Sequence, residues 1–170
     1  MYAGLTIILS VLLMIPVQGY SAPVGAKHFG DPKPAPGFVL TDLNSDTHKL
    51  TDYRGKVLIV SFWATWCLPC IRELPSMARA ADLLHEDDVH ILAINVGENA
   101  EDIKRFLART PIDFVLLPDE ASKVAAAWDV RALPTAFVVD KHGRVAMRVT
   151  GGLDWDTESM LQDLRNIAGQ

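Results

Sequence analysis

Cys67 and Cys70 are the only cysteines among the 170 residues, and both lie in the run Trp66-Cys67-Leu68-Pro69-Cys70. A bond between sulfurs three positions apart closes so short a loop that it takes little entropy from the unfolded chain, so a purely structural disulfide explains the spacing poorly. A structural zinc site needs four ligands. No second cysteine pair exists, and His28, His48, His85, His90 and His142 are scattered without ligand spacing, so no metal site is expected. Two neighbouring thiolates can also hold a soft ion such as Cu(I), which keeps a copper-binding module as an alternative. Reversible dithiol/disulfide exchange accounts for the spacing directly, and it needs no cofactor beyond the Cys67–Cys70 pair itself.

The elements around the pair decide how the sulfurs would behave. Residues 57–64 read VLIVSFWA, a continuous apolar and β-branched run of the kind that forms a central strand covered on both faces. Residues 68–86 follow with helical periodicity through Ile71, Leu74, Met77, Ala81 and Leu84, and Pro75 is expected to kink that helix. Cys67 then occupies the helix N-terminal edge, where unpaired N–H groups and the dipole favour thiolate over thiol, so it is the expected nucleophile. Each unit of pKa lowering there corresponds to about 1.4 kcal/mol of preference for the thiolate. Cys70, one turn further in and less exposed, resolves the mixed disulfide. Pro69 fixes φ inside the motif and removes an N–H, and Leu68 leaves an apolar contact surface.

Further along, strands are expected at 90–96, 114–117 and 135–139, with helices at 98–109, 121–128 and 157–168. Asp140-Lys141-His142-Gly143 reads as a hairpin turn into a strand at 144–149, and residues 38–50 read as a short hairpin around a polar turn. Strand-helix units followed by a hairpin and a closing helix argue for an α/β sandwich with a mixed sheet.

The N-terminus carries no charged side chain before Lys27, and residues 5–17, LTIILSVLLMIPV, form a thirteen-residue apolar run. A bilayer-crossing helix needs roughly 20 apolar residues, so residues 1–26 are expected to be a cleaved export signal or a short anchor. Residues 27–37, rich in Pro and Gly, read as an extended tether, and residues 38–170 as one domain. Export places the pair outside the cytoplasm, in a periplasmic or equivalent compartment where disulfides persist. A net charge of −5 lacks the basic footprint of nucleic-acid binding.

The run from Phe62 through Cys67 and Cys70 to Pro75, with Leu133-Pro134-Thr135 and the Ala136–Asp140 segment after it, closely resembles the thioredoxin superfamily and, within it, the exported TlpA/ResA-like disulfide reductases. The resemblance spans roughly residues 38–168. It implies a thioredoxin-like fold: a mixed central sheet flanked by helices, N-terminal β elements and an extra βα insertion near 98–119. It further implies that Pro134 is a cis proline beside the cysteines and that Leu133 offers backbone groups to an extended substrate. Glu73, three residues after Cys70, matches an acidic residue that accepts or relays a proton, against the plainer reading of a solvated helix position. Two departures stand out. Ser61 occupies the place of the buried aspartate that cytoplasmic thioredoxins carry six residues before the first cysteine. Val130-Arg131-Ala132-Leu133 replaces the Gly-x-x-Gly-x-Pro-Glu type of sequence of the cytochrome-maturation branch.

The expected activity is therefore an extracytoplasmic thiol:disulfide oxidoreductase, acting as a monomeric reductase of cysteine-containing partner proteins and drawing electrons from a membrane thiol relay. Its expected substrates are the haem-site cysteines of apocytochrome c or a copper-site cysteine pair. Cys67, Cys70 and Glu73 carry the chemistry, and Trp66, Leu68, Pro69, Leu133, Pro134 and Thr135 meet the substrate. Trp66 is expected to shield one side of the disulfide and Trp63 to pack beneath it, while Gly151 and Gly152 could let a substrate backbone come close. An oxidant or isomerase remains as an alternative direction of the same exchange. A peroxidase fits poorly, because the Pro-x-x-x-Thr-x-x-Cys setting it requires is Val-Ser-Phe-Trp-Ala-Thr-Trp-Cys at residues 60–67.

Overall fold

The computed structural model describes residues 25–169, so the expected leader lies, through residue 24, outside the described residues. Its centre is the predicted apolar run, which forms β4 (Val57–Trp63) with every residue buried. That strand pairs in parallel with β5 (Val89–Val96) on one side and antiparallel with β7 (Thr135–Val139) on the other. β5 continues in parallel to β6 (Val115–Asp119), and β7 turns antiparallel into β8 (Arg144–Thr150). The result is a six-stranded mixed sheet in the order β1-β8-β7-β4-β5-β6.

The alternation of β4 shows why the run has no polar side. Val57 and Ile59 face a cluster built with α1 (Leu68–Leu83) and α4 (Glu158–Ala168). Leu58, Val60 and Phe62 face a second cluster with Trp128 and α3 (Lys123–Ala127). A strand covered on both faces needs apolar side chains in both phases of the pleat. α1 passes Pro75 as one continuous helix, with the proline on its exposed side.

The N-terminal segment corrects the sequence expectation. Gly25–Pro34 is not a free tether: it forms β1, an edge strand antiparallel to β8, with an irregularity between His28 and Lys33 that accommodates Pro32. Extended Pro-rich sequence is compatible with an edge strand, because an edge leaves one row of N–H groups unused. The expected short hairpin is present as β2 (Val39–Thr41) paired with β3 (Thr47–Lys49).

α2 (Ala100–Leu107) starts two residues later than its periodicity suggests, because the Asn99 side chain accepts the Asp102 N–H at 3.0 Å and caps it. β6 runs on through Pro118, which an edge strand tolerates. α3 is shorter than expected and is held by Asp119, whose carboxylate accepts the Lys123 and Ala125 N–H groups, each at 2.9 Å.

The β7–β8 hairpin carries the Pro134 loop at its far end, so its turn matters to the site. Asp140 is buried, and its Oδ1 accepts the His142 and Arg144 N–H groups, both at 2.9 Å, while its Oδ2 binds the Arg144 side chain at 2.8 Å. Gly143 supplies the positive φ of 71° that closes the turn. Asp140→Ala should therefore cost about 1–3 kcal/mol of stability by removing the one acceptor that holds three part-buried donors of the turn. Urea unfolding of the oxidised protein checks this, and a loss below about 1 kcal/mol would contradict the assigned role of Asp140.

Candidate active site

The chain leaves β4 at Trp63 and reverses through residues 64–67, a turn closed by the Cys67 N–H donating to the Ala64 carbonyl at 3.1 Å. Cys67 is the N-cap of α1, with extended φ −85° and ψ 94°, and its sulfur accepts the Cys70 N–H at 3.4 Å. Pro69 sits in the first turn, where its missing N–H leaves no intrahelical bond unmade. Cys67 and Cys70 are joined as a disulfide. Cys70 is fully buried and Cys67 is 5% exposed. The expected order of exposure holds, but Cys67 is nearly enclosed rather than openly presented.

Beneath the pair, Trp63 is fully buried and packs in one cluster with Cys67, Cys70, Leu74 and Ile103, its ring centroid 5.5 Å from that of Phe106 in α2. Trp66 and Leu68 do the opposite. They are 68% and 63% exposed, so the pair is bordered by apolar surface that stands in solvent. A groove of about 350 Å³ runs beside Trp66, bounded by Val96, Ala125, Val130, Arg131 and Leu133.

The Leu133–Pro134 peptide is cis. Pairing of Phe62 with Thr135 brings this loop to the end of β4 from which the cysteine turn departs, and Leu133 packs against the cysteine cluster. The Pro134 carbonyl accepts the Gly151 N–H at 3.0 Å. Thr135 requires a correction: it is fully buried and its hydroxyl donates to the Ala132 carbonyl at 2.8 Å. It orders the loop from inside and cannot face a ligand. Gly152 closes the other side, since a Cβ there would lie 3.3 Å from the Pro69 carbonyl oxygen. Any larger residue would press on the cysteine motif itself.

Glu73 is not a solvated helix residue. It is 3% exposed on the face of α1 that carries Cys70, and its Oε2 accepts the Leu153 N–H at 3.4 Å. Its Oε1 has no hydrogen-bond partner among the described residues. Burial pushes its pKa up to about 7, and the Leu153 N–H and neighbouring Trp155 indole offset only part of that effect. The wall it faces is pinned to α1 by Ser76, whose hydroxyl donates to the Glu73 carbonyl at 2.7 Å and accepts the Trp155 N–H at 3.1 Å. Ser61 is also fully buried, and its hydroxyl finds no partner among the described residues. A carboxyl one helical turn beyond Cys70 whose pKa lies near neutrality is suited to proton exchange near pH 7.

Sequence reasoning passed over one carboxylate. Glu98 reads there only as the start of a helix, yet it stays outside α2 and bonds Thr65 at the turn before Cys67, accepting the Thr65 N–H at 2.7 Å. No periodicity or motif marks it, because the contact joins segments 33 residues apart.

Residues 32–148 match the AhpC/TSA family. The chain is 41% identical over 133 residues to the protein named thiol-disulfide oxidoreductase ResA of Geobacillus thermodenitrificans, covering 78% of this chain and 75% of that one. It is 35% identical over 161 residues to the protein of the same name from Bacillus subtilis, covering 92% and 88%. Among solved structures, one assigned as the thiol:disulfide interchange protein DsbE of Chlorobium tepidum superposes with a TM-score of 0.75 at 28% identity, over 81% of this chain and 97% of that one.

The Glu73 carboxyl ties stability to pH. Its pKa is raised to about 7 in the folded state from 4.5, so between those values the folded chain keeps a proton that the unfolded chain has lost. Stability should accordingly be greatest below about pH 4.5 as far as this group is concerned, and decline by up to about 3 kcal/mol as pH rises through 7. Urea unfolding of the oxidised protein across that window should show the decline, and Glu73→Gln should flatten it. Parallel curves for the two proteins would remove Glu73 as its source.

Proposed function

We propose, on the premise that this chain belongs to the AhpC/TSA family of thioredoxin-like proteins and is a thiol:disulfide oxidoreductase, that it reduces disulfides of partner proteins outside the cytoplasm through Cys67 and Cys70. The observation that carries this reading is the placement of the pair. One sulfur caps a helix N-terminus and keeps a 5% exposed edge, the other lies fully buried one turn further in, and a buried carboxyl with a pKa near 7 sits a turn beyond that.

The exchange runs in two displacements. In the reduced protein the Cys67 thiolate attacks one sulfur of the partner's disulfide, a Cys67–partner bond forms, and the partner's other sulfur leaves as a thiolate and takes a proton. Cys70 then gives its proton to the ionised Glu73 carboxylate, and the resulting thiolate attacks the Cys67 sulfur. The partner's second sulfur leaves, the Cys67–Cys70 bond forms, and two electrons have passed to the partner. The first-turn N–H groups of α1 stabilise the charge on Cys67, at about 1.4 kcal/mol for each pKa unit of lowering.

Trp66, Leu68 and the groove along 130–133 suit an extended apolar segment flanking the partner's cysteines, with Leu133 offering backbone groups and Pro69 shaping the motif. Substrates of this kind are the haem-attachment cysteines of an apocytochrome c or the cysteine pair of a copper-site protein. A membrane thiol relay would restore the dithiol. Export rests on the neutral apolar run at residues 5–17, and the protein acts as a monomer.

Reduction of insulin disulfides by dithiothreitol should be accelerated by the protein and abolished by Cys67→Ser, while Cys70→Ser should accumulate mixed disulfides visible on non-reducing gels. An active Cys67→Ser protein, or no turnover by the native sequence with any dithiol, would overturn the reading.

A further inference from the structure

The turn that delivers Cys67 is gripped from outside its own element. Its closing bond, from the Cys67 N–H to the Ala64 carbonyl, leaves the N–H of Thr65 free to bond elsewhere. The Glu98 carboxylate takes both groups that Thr65 can donate: Oε2 accepts the N–H at 2.7 Å and Oε1 accepts the hydroxyl. Asn95, fully buried at the end of β5, donates its Nδ2 to the same Oε2 at 2.8 Å. Glu98 reaches this position because Gly97 turns the chain out of β5 at φ +80°, and Asn99 then takes over the cap of α2. One carboxylate thus binds three donors from two elements, and charge-assisted bonds of this kind are roughly twice as strong as neutral ones.

We infer that Glu98 is a positioning residue for the exchange reaction: by holding Thr65 it fixes the turn that aims Cys67 and the exposed Trp66 at an incoming disulfide. The inference rests on the reductase reading above. No proton or electron passes to Glu98. What it supplies is orientation, and misplacement of a reacting group by about 1 Å can cost up to about a hundredfold in rate.

The geometry separates positioning from charge. A glutamine at 98 can still accept the Thr65 N–H through its oxygen and donate its amide to the Thr65 hydroxyl oxygen, so it keeps the grip without the charge. An alanine keeps neither. Glu98→Ala is therefore expected to lower kcat/KM for insulin disulfide reduction about tenfold, and Glu98→Gln to recover all but about twofold. The pH midpoint of Cys67 alkylation by iodoacetamide in the reduced protein should be the same for the native residue and glutamine.

Undiminished turnover in Glu98→Ala overturns the inference. So does a Gln variant as slow as the Ala variant, or one whose alkylation midpoint moves, since either outcome makes charge rather than grip the cause. Should Glu98→Ala fail to fold, Thr65→Val decides, because it loses the hydroxyl contact and keeps the N–H one. About a threefold loss of kcat/KM is expected there, and none overturns the inference. The native protein run in parallel keeps the two readings apart: if it fails to turn over, the reductase reading falls, and if it turns over while the variants match it, only the role of Glu98 does.

Discussion

The site depends on the meeting of one sulfur with the unpaired N–H groups at the start of a helix. The first turn of α1 has donors with no intrahelical acceptor, and Cys67 caps it, taking the Cys70 N–H on its sulfur. A helix end of this kind favours negative charge wherever it is placed. Placement is the work of the sheet. β4 is the strand from which the turn departs, and it is held on both sides, by β5 in parallel and β7 antiparallel, with apolar clusters above and below. The start of α1 therefore has little freedom to move relative to β7, whose first residue follows Pro134.

Two carboxylates flank this junction and do different things because they are solvated differently. Glu73 lies against the 153–155 wall with one oxygen unpartnered among the described residues, and burial raises its pKa to about 7. Glu98 is half-buried and surrounded by donors from Thr65 and Asn95. The first suits proton exchange with a buried thiol, the second holds a turn in place. Apolar exposure divides in the same manner, with Trp63 enclosed under the pair and Trp66 left in solvent three residues later.

Much of this arrangement is legible in the residues alone. The uninterrupted apolar run of β4, the helical period of α1, the Asp140–Gly143 turn and the two cysteines are all local patterns, and each element forms close to where its pattern lies. The misses share one origin. β1 reads as a tether because an edge strand satisfies only one row of backbone groups, and the partner that satisfies them, β8, is more than a hundred residues away. Thr135 reads as a surface contact because its neighbours Leu133 and Pro134 belong to the loop, but it already belongs to β7, which is buried on both faces.

Composition and spacing by themselves determined the α/β class, the order of elements from β2 onward and the placing of the two cysteines where a strand hands over to a helix, since periodicity and the offset between two cysteines are properties of short stretches of chain. Only the packed structure decided which carboxyl is buried against the 153–155 wall, which one grips the turn, and how far Trp66 stands in solvent. Those outcomes depend on desolvation and hydrogen bonding between segments far apart in sequence, and a side chain's charge and reach acquire meaning only when its surroundings are assembled.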